Sequence, residues 1–203
     1  MRMNTNNVIS AIESLKSEYL KATASIDAVG KNSELSQTGK DKAIARETEK
    51  YFPKLEKLRT NAIQSVDNLK DDIREQRRAD IAKGLEVADE IALVTETIRE
   101  GSLDDTMLED VLEIYKDNTL ALRAIKGTLE KSTIESYQLY ATKIPNDRTD
   151  ALSKSFDKLR KNLESIQLIT TSQMSSGDAI IQGASGLAFD SMIDFLRNID
   201  ETE

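Results

Sequence analysis

The side chains here that are equipped for chemistry are carboxylates, lysines and tyrosines. The 203 residues contain no His and no Cys. That removes the commonest general base and zinc ligand, any Ser-His-Asp or Cys-His arrangement, and all disulfide or thiolate chemistry. A di-iron bundle site needs Glu-x-x-His pairs and is removed with them. Carboxylates gather at Glu86, Asp89 and Glu90 and at Asp105, Glu109 and Glu113. Such clusters hold Ca²⁺ weakly at best, and they read as solvated helix faces. No Asp-x-Asp-x-Asp-Gly loop, Walker motif or strand-linked G-x-G-x-x-G occurs. Gly183-Ala-Ser-Gly186 lies inside a helical pattern and forms no KH-type clamp. No catalytic, cofactor-binding or metal residue is assigned, and the chain is expected not to be an enzyme.

Charge is the stronger signal. The net charge is −8, and it is concentrated: Glu86 to Asp117 holds eleven acidic residues against Arg99 and Lys116. Phosphate binding needs clustered Lys and Arg, so this zone points away from nucleic acid. It suits a basic protein surface, or simply solubility. Aromatics are 4% with no Trp, so the core must be aliphatic. Two Pro and eight Gly favour long helices over a many-turned β architecture. The polar start, Met1 to Asn7, has no apolar h-region of a signal peptide. The most apolar stretch, Ala179 to Ile199, is interrupted by Gln182, Asp190 and Asp194, so no membrane span is expected and the chain is placed in the cytoplasm.

The elements that carry these charges are helices. Pro53 to Glu100 reads as one long amphipathic helix. Leu55, Leu58, Ala62, Val66, Leu69 and Ile73 form one stripe, and Ile81, Leu85, Ala88, Ile91, Val94 and Ile98 a second. Between them the seam positions Arg77 and Asp80 are charged. A straight helix of that length spans roughly 70 Å, so an elongated molecule or a bend at Gly84 is expected. Before it, Val8, Ile12, Leu15, Tyr19, Ala22, Ile26 and Val29 keep a strict four-three alternation over Thr5 to Val29, the seam of a coiled coil or left-handed bundle. Gly30 fits a left-handed C-cap, Thr38 with Asp41 the next N-cap, and Pro53 a kink or restart after a short helix over 40–52, with Tyr51 and Phe52 wedged against a neighbour.

After Gly101, which ends the long helix, Ser102 with Asp105 resembles a capping box. A third helix then carries Leu103, Met107, Leu108, Val111, Ile114, Leu122, Ile125 and Leu129, antiparallel to the long one. Ser132-Thr-Ile-Glu135 is a capping box for a further segment that Pro145 stops. A fourth helix carries Leu152, Phe156, Leu159, Leu163, Ile166 and Ile169, capped by Asn146 or Asp147, with Lys154, Lys158, Arg160 and Lys161 outside. Residues 170–177 form a polar joint. The last helix, Asp178 to Ile199, has more apolar positions than one buried stripe needs, and small residues at Ala179, Gly183, Ala184 and Gly186. It docks centrally or binds a partner.

The expected fold is therefore all-α: an elongated antiparallel helical bundle with coiled-coil-like packing and one long central helix. Residues 1–170 form the bundle, and 171–203 a Ser-rich joint with the apolar C-terminal helix.

The turn Leu35-Ser-Gln-Thr-Gly-Lys40 and the run Tyr51-Phe-Pro-Lys-Leu-Glu-Lys57 resemble small helical proteins of phage and prophage structural cassettes, over about the first 70 residues. Some phage scaffolding proteins are similar in general character, being acidic, Cys-free and helical. They usually end in a basic coat-binding helix, whereas Asp194 to Glu203 is acidic. The strict heptad of the first helix and the over-apolar last helix point to a non-enzymatic structural or assembly protein, self-associating through one of those two helices and of phage origin if the resemblance holds, without cofactor, nucleic acid or membrane. The alternative is a monomeric adaptor or inhibitor that binds a basic surface. Candidate contacts are Leu187, Phe189, Met192, Phe195 and Leu196 on the last helix, and Glu96, Glu100, Asp104 and Asp105 at the acidic hairpin tip.

Overall fold

Apolar stripes of helical pitch must find one another, and here they do so in two separate places. The computed structural model describes residues 5–146, 149–166, 168 and 180–201. Among these every regular element is an α-helix. They are α1 (Asn6–Lys31), α2 (Gln37–Glu86), α3 (Ala88–Arg99), α4 (Asp105–Ile114), α5 (Thr119–Leu129), α6 (Glu135–Lys143), α7 (Thr149–Ser165) and α8 (Ile180–Glu201). The chain divides into two units. Unit one is Met1–Asp71 with Lys154–Glu203, and unit two is Asp72–Ser153. The last helix thus belongs to the same unit as the first. The polar joint at 170–177, Ile169 and the candidate cap Asp147 lie outside the described residues.

Unit one is a four-helix bundle. Ser25 donates to Glu47 at 2.8 Å and Lys54 pairs with Glu18 at 2.8 Å, tying α1 to α2. Arg59 donates to the Ile166 carbonyl, Arg160 to Asp67, and Lys70 pairs with Asp157, tying α2 to α7. Lys16 pairs with Asp190 and Arg197 with Glu13, tying α1 to α8. In each pairing the numbers fall on one helix as they rise on the other, so the neighbours are antiparallel. Phe156 meets Phe195 edge-on at 6.1 Å and closes the ring between α7 and α8. The strict seam of α1 lies inside: Val8, Ile12, Leu15, Tyr19, Ala22 and Ile26 are all buried.

Four local expectations shift here. Gly30 stays in α1, which runs to Lys31 and closes at Asn32 in an extended conformation. Ser36, not Thr38, caps α2, its hydroxyl accepting from Gly39 N–H at 3.2 Å. Pro53 neither ends nor restarts a helix, because α2 is continuous through it. Its missing N–H orphans the Glu49 carbonyl, and Glu49 and Pro53 are both exposed, so that the helix tolerates the loss at a solvent-facing turn. Phe52 is not wedged but 39% exposed.

The organising helix does not reach Glu100. It stops at Glu86, Val87 leaves helical geometry at φ −112° and ψ 22°, and α3 begins anew with Asp89 and Glu90 in its first turn, favourable at a helix N-terminus. The inward stripe also differs from the expected one. Ile73, Arg77, Asp80, Gly84, Val87, Ile91, Val94 and Ile98 continue the four-three alternation without a gap, and each is buried or half-buried. Ile81 and Leu85 are 41% and 65% exposed. The charged positions Arg77 and Asp80 are thus part of the seam. Thr119 of α5 donates weakly to Asp80 at 3.4 Å.

The expected third helix is two. α4 ends at Ile114, Tyr115 turns inward, and Asn118 caps α5 by accepting from Ala121 N–H at 3.0 Å. α3 packs on α5 and α5 on α6. Their shared core is Ile91, Ile98, Leu108, Ala121, Ile125, Leu129 and Ile144 with Tyr115, Tyr137 and Tyr140.

Candidate partner-binding surface

The acidic zone occupies α3, α4 and the turn between them, all within unit two. Gly101 stands at φ +69°, the left-handed region that favours glycine. Its N–H donates to the Ile98 carbonyl and that of Ser102 to the Thr97 carbonyl, which completes a Schellman close of α3. Asp104, not Ser102, caps α4 by accepting from Met107 N–H at 2.8 Å. The turn is held from below by one side chain. The Tyr137 hydroxyl accepts from Leu103 N–H at 3.0 Å and donates to the Leu103 carbonyl at 2.7 Å. This clamp has no signature in the sequence, because Tyr137 lies 34 residues away. Tyr137→Phe removes both bonds and is expected to cost about 1–2 kcal/mol. Faster hydrogen exchange at the Leu103 amide would localise that loss, whereas an unchanged rate would mean that the clamp contributes nothing.

Two further tyrosines anchor carboxylates to the core. Tyr115 donates to Glu90 at 3.2 Å and Tyr140 to Glu109 at 3.0 Å. Burial, then the adjacent carboxylate, raises both phenols above their ordinary value. Lys143 lies 3.9 Å above the Tyr140 ring and 3.8 Å from Glu109. Glu90 and Glu109 are thus engaged within unit two.

The other acids point outward. On α3, Asp89, Glu96 and Glu100 are exposed around Leu93, which is 71% exposed. On α4, Asp105, Asp110 and Glu113 are exposed, together with Met107 at 51% and Ile114 at 72%. Arg99 pairs with Glu96 at 2.7 Å and Lys116 with Glu113 at 2.5 Å, so two of these charges are partly offset. Both pairs are exposed and worth little to stability. Of the anticipated tip residues, Glu96, Glu100, Asp104 and Asp105 are all exposed, with Asp104 spent on its cap.

The anticipated contacts on α8 divide differently. Phe189, Met192 and Leu196 are buried within unit one, Phe189 meeting Tyr19 edge-on at 5.9 Å. They are closed to any partner while the bundle stands. Phe195 is half-buried against Phe156, and Leu187 remains 70% exposed. The small-residue stretch from Ala179 to Gly186 lies outside the residues whose side chains are described.

Among the described residues no three His, Cys, Asp or Glu converge to hold a metal ion. A cleft of about 530 Å³ between α5 and α6 is lined by Lys126, Glu130, Gln138, Ala141, Thr142 and Asn146. Its amine is already committed, since Lys126 donates to the Ile144 carbonyl and to Asn146, each at 2.7 Å. No described helix is long and apolar enough to cross a membrane. Comparison with known protein families, curated proteins and solved structures finds no match for this chain.

Proposed function

We propose that this is a non-enzymatic helical protein that acts by binding another protein, and that the acidic outer surface of α3 and α4 receives a basic surface of that partner. The observation that carries this reading is a contrast. Val8, Ile12, Leu15 and Tyr19 of α1 and Phe189, Met192, Ile193 and Leu196 of α8 are buried within unit one, while Leu93, Met107 and Ile114 stand in solvent among Asp89, Glu96, Glu100, Asp105, Asp110 and Glu113. Exposed acids speed encounter with a cationic partner, and apolar side chains among them supply contact area that charge alone does not.

The test is a variant in which those six acids become their amides. A partner recovered with the native protein in low salt is expected to bind the variant about tenfold or more weaker, from several rim pairs of about 0.2–1 kcal/mol each. A partner held equally by both would defeat the reading.

Self-association, as an assembly protein of the phage type, is the second reading. Leu187, 70% exposed on α8, favours it as an apolar contact open to a second copy. Sedimentation at tens of micromolar distinguishes the two, because a monomer leaves only the first.

A further inference from the structure

Around the axis of α4 the side chains sort by angle. Leu108, Leu112 and Tyr115 face the core. Val111 lies at the edge, half-buried. Next come Met107 and Ile114, seven residues apart and therefore on one line about 10 Å long. Beyond them on the outer side stand Asp110 and Glu113, both exposed. The Asp110 carboxylate has no hydrogen bond or ion pair among the described residues. The result is an apolar stripe with acid along one flank only.

From this we infer that the Met107–Val111–Ile114 stripe seats a basic amphipathic helix of the partner, its apolar side chains on the stripe and its Lys or Arg side chains over Asp110 and Glu113. The inference rests on the reading of the acidic surface above and names the partner's form. Anchors spaced three, four and seven residues apart are what a helix offers to such a line. Charge decides the occupant. A second copy docked through the same stripe would set Asp110 and Glu113 against their own counterparts, since a two-fold contact repeats the same patch. Like charges in that position oppose the contact, whereas cations relieve it. A flexible basic tail would satisfy the acids and leave Met107 and Ile114 uncovered.

The experiment uses the full chain and two synthetic Leu/Lys peptides of about 18 residues, long enough to hold a helix. One is patterned as an amphipathic helix. The other is a scramble of the same composition with no apolar face. Binding is followed by fluorescence anisotropy in low salt. The patterned peptide is expected to bind about tenfold tighter than the scramble. Ile114→Asn is expected to weaken the patterned peptide about tenfold and leave the scramble unchanged, as loss of an apolar anchor should. Met107→Gln repeats the test at the other end of the stripe. Both positions face solvent, so the variants should keep the native melting curve. Equal affinity for the two peptides, or indifference to both substitutions, overturns the seat on α4. If both peptides then lose binding to the six-amide variant, the acidic surface survives as a general basic-protein contact. If neither peptide binds the native protein, both readings fail together.

Discussion

Phe156→Ala is expected to destabilise the protein by about 3–5 kcal/mol, a large share of the total stability of a domain this size. Phe156 is completely buried on α7, and its ring meets Phe195 of α8 edge-on, 70° between planes. Removal loses the transfer energy of a whole ring, leaves a cavity, and breaks the ring contact that joins α7 to α8. The neighbours Leu159 and Leu163 on α7 and Phe189 and Leu196 on α8 are also buried, so little can relax into the space. Urea unfolding measures this as a lower midpoint with an unchanged slope. Phe156→Leu, which keeps most of the volume, should cost less than half as much. A loss below about 1 kcal/mol for the alanine variant would mean that α7 and α8 do not share a packed core.

Gly84→Val is expected to cost about 3 kcal/mol, and here the usual propensity argument points the wrong way. Gly inside a helix is worth about 1 kcal/mol less than Ala, so an exposed Gly84 would gain from substitution. It is buried, and a Cβ built there would lie 2.6 Å from both Cβ and Cδ2 of Leu120. A Cδ atom can swing aside, but a Cβ moves only with the backbone of α5. Overpacking of this kind costs about 1–3 kcal/mol or more, and the branched Val adds two methyl groups to the clash. Gly84→Ala should reverse the propensity gain and come out mildly destabilising. Leu120→Gly in the same chain removes that Cβ and should rescue part of the Val variant, a coupling that thermal melts of the four proteins would expose. Stabilisation by Gly84→Ala alone would show that α5 does not press on this turn.

The same glycine explains where the sequence could be read and where it could not. The seam of α1 was legible because seven consecutive four-three positions were apolar. Over 73–98 the alternation is just as regular, but it passes through Arg77, Asp80 and Gly84. A hydrophobicity reading skips those positions and moves to Ile81 and Leu85. Only the close approach of Leu120 reveals that the smallest side chain marks the buried line. Met107 and Leu108 pose the same problem, because adjacent residues on a helix cannot both face one core. Leu108 is in line with Tyr115, seven residues on, and that pair sets the orientation and leaves Met107 and Ile114 outside.

Breaks were less legible than faces. Gly101 announces the end of α3 because its conformation demands glycine. Nothing comparable marks Val87, a residue that any helix accepts at modest cost. The break after Ile114 had a signal in Asn118, an N-cap residue placed before an apolar run, obscured by the apolar pattern on both sides. The acidic surface was legible as a charge count, which identifies α3 and α4 without saying which carboxylates are already hydrogen-bonded within unit two. Glu90, Glu109 and Asp104 are committed to Tyr115, Tyr140 and a helix cap. Tyr115 and Tyr140 come from other segments and no local spacing encodes them, whereas the Asp104 cap, three residues from Met107, is local.

Unit one is built from two stretches of chain with unit two between them in sequence. A ribosome therefore releases α1 and much of α2 long before the helices that complete their core exist. At about 5–20 residues per second the delay is on the order of ten seconds. Throughout that interval the apolar seam of the first helix has only α2 to cover it, while the intervening segment already has everything it needs to close. The part of the chain made first is thus the part finished last, and its exposed stripe is where a chaperone or a neighbouring nascent chain would take hold.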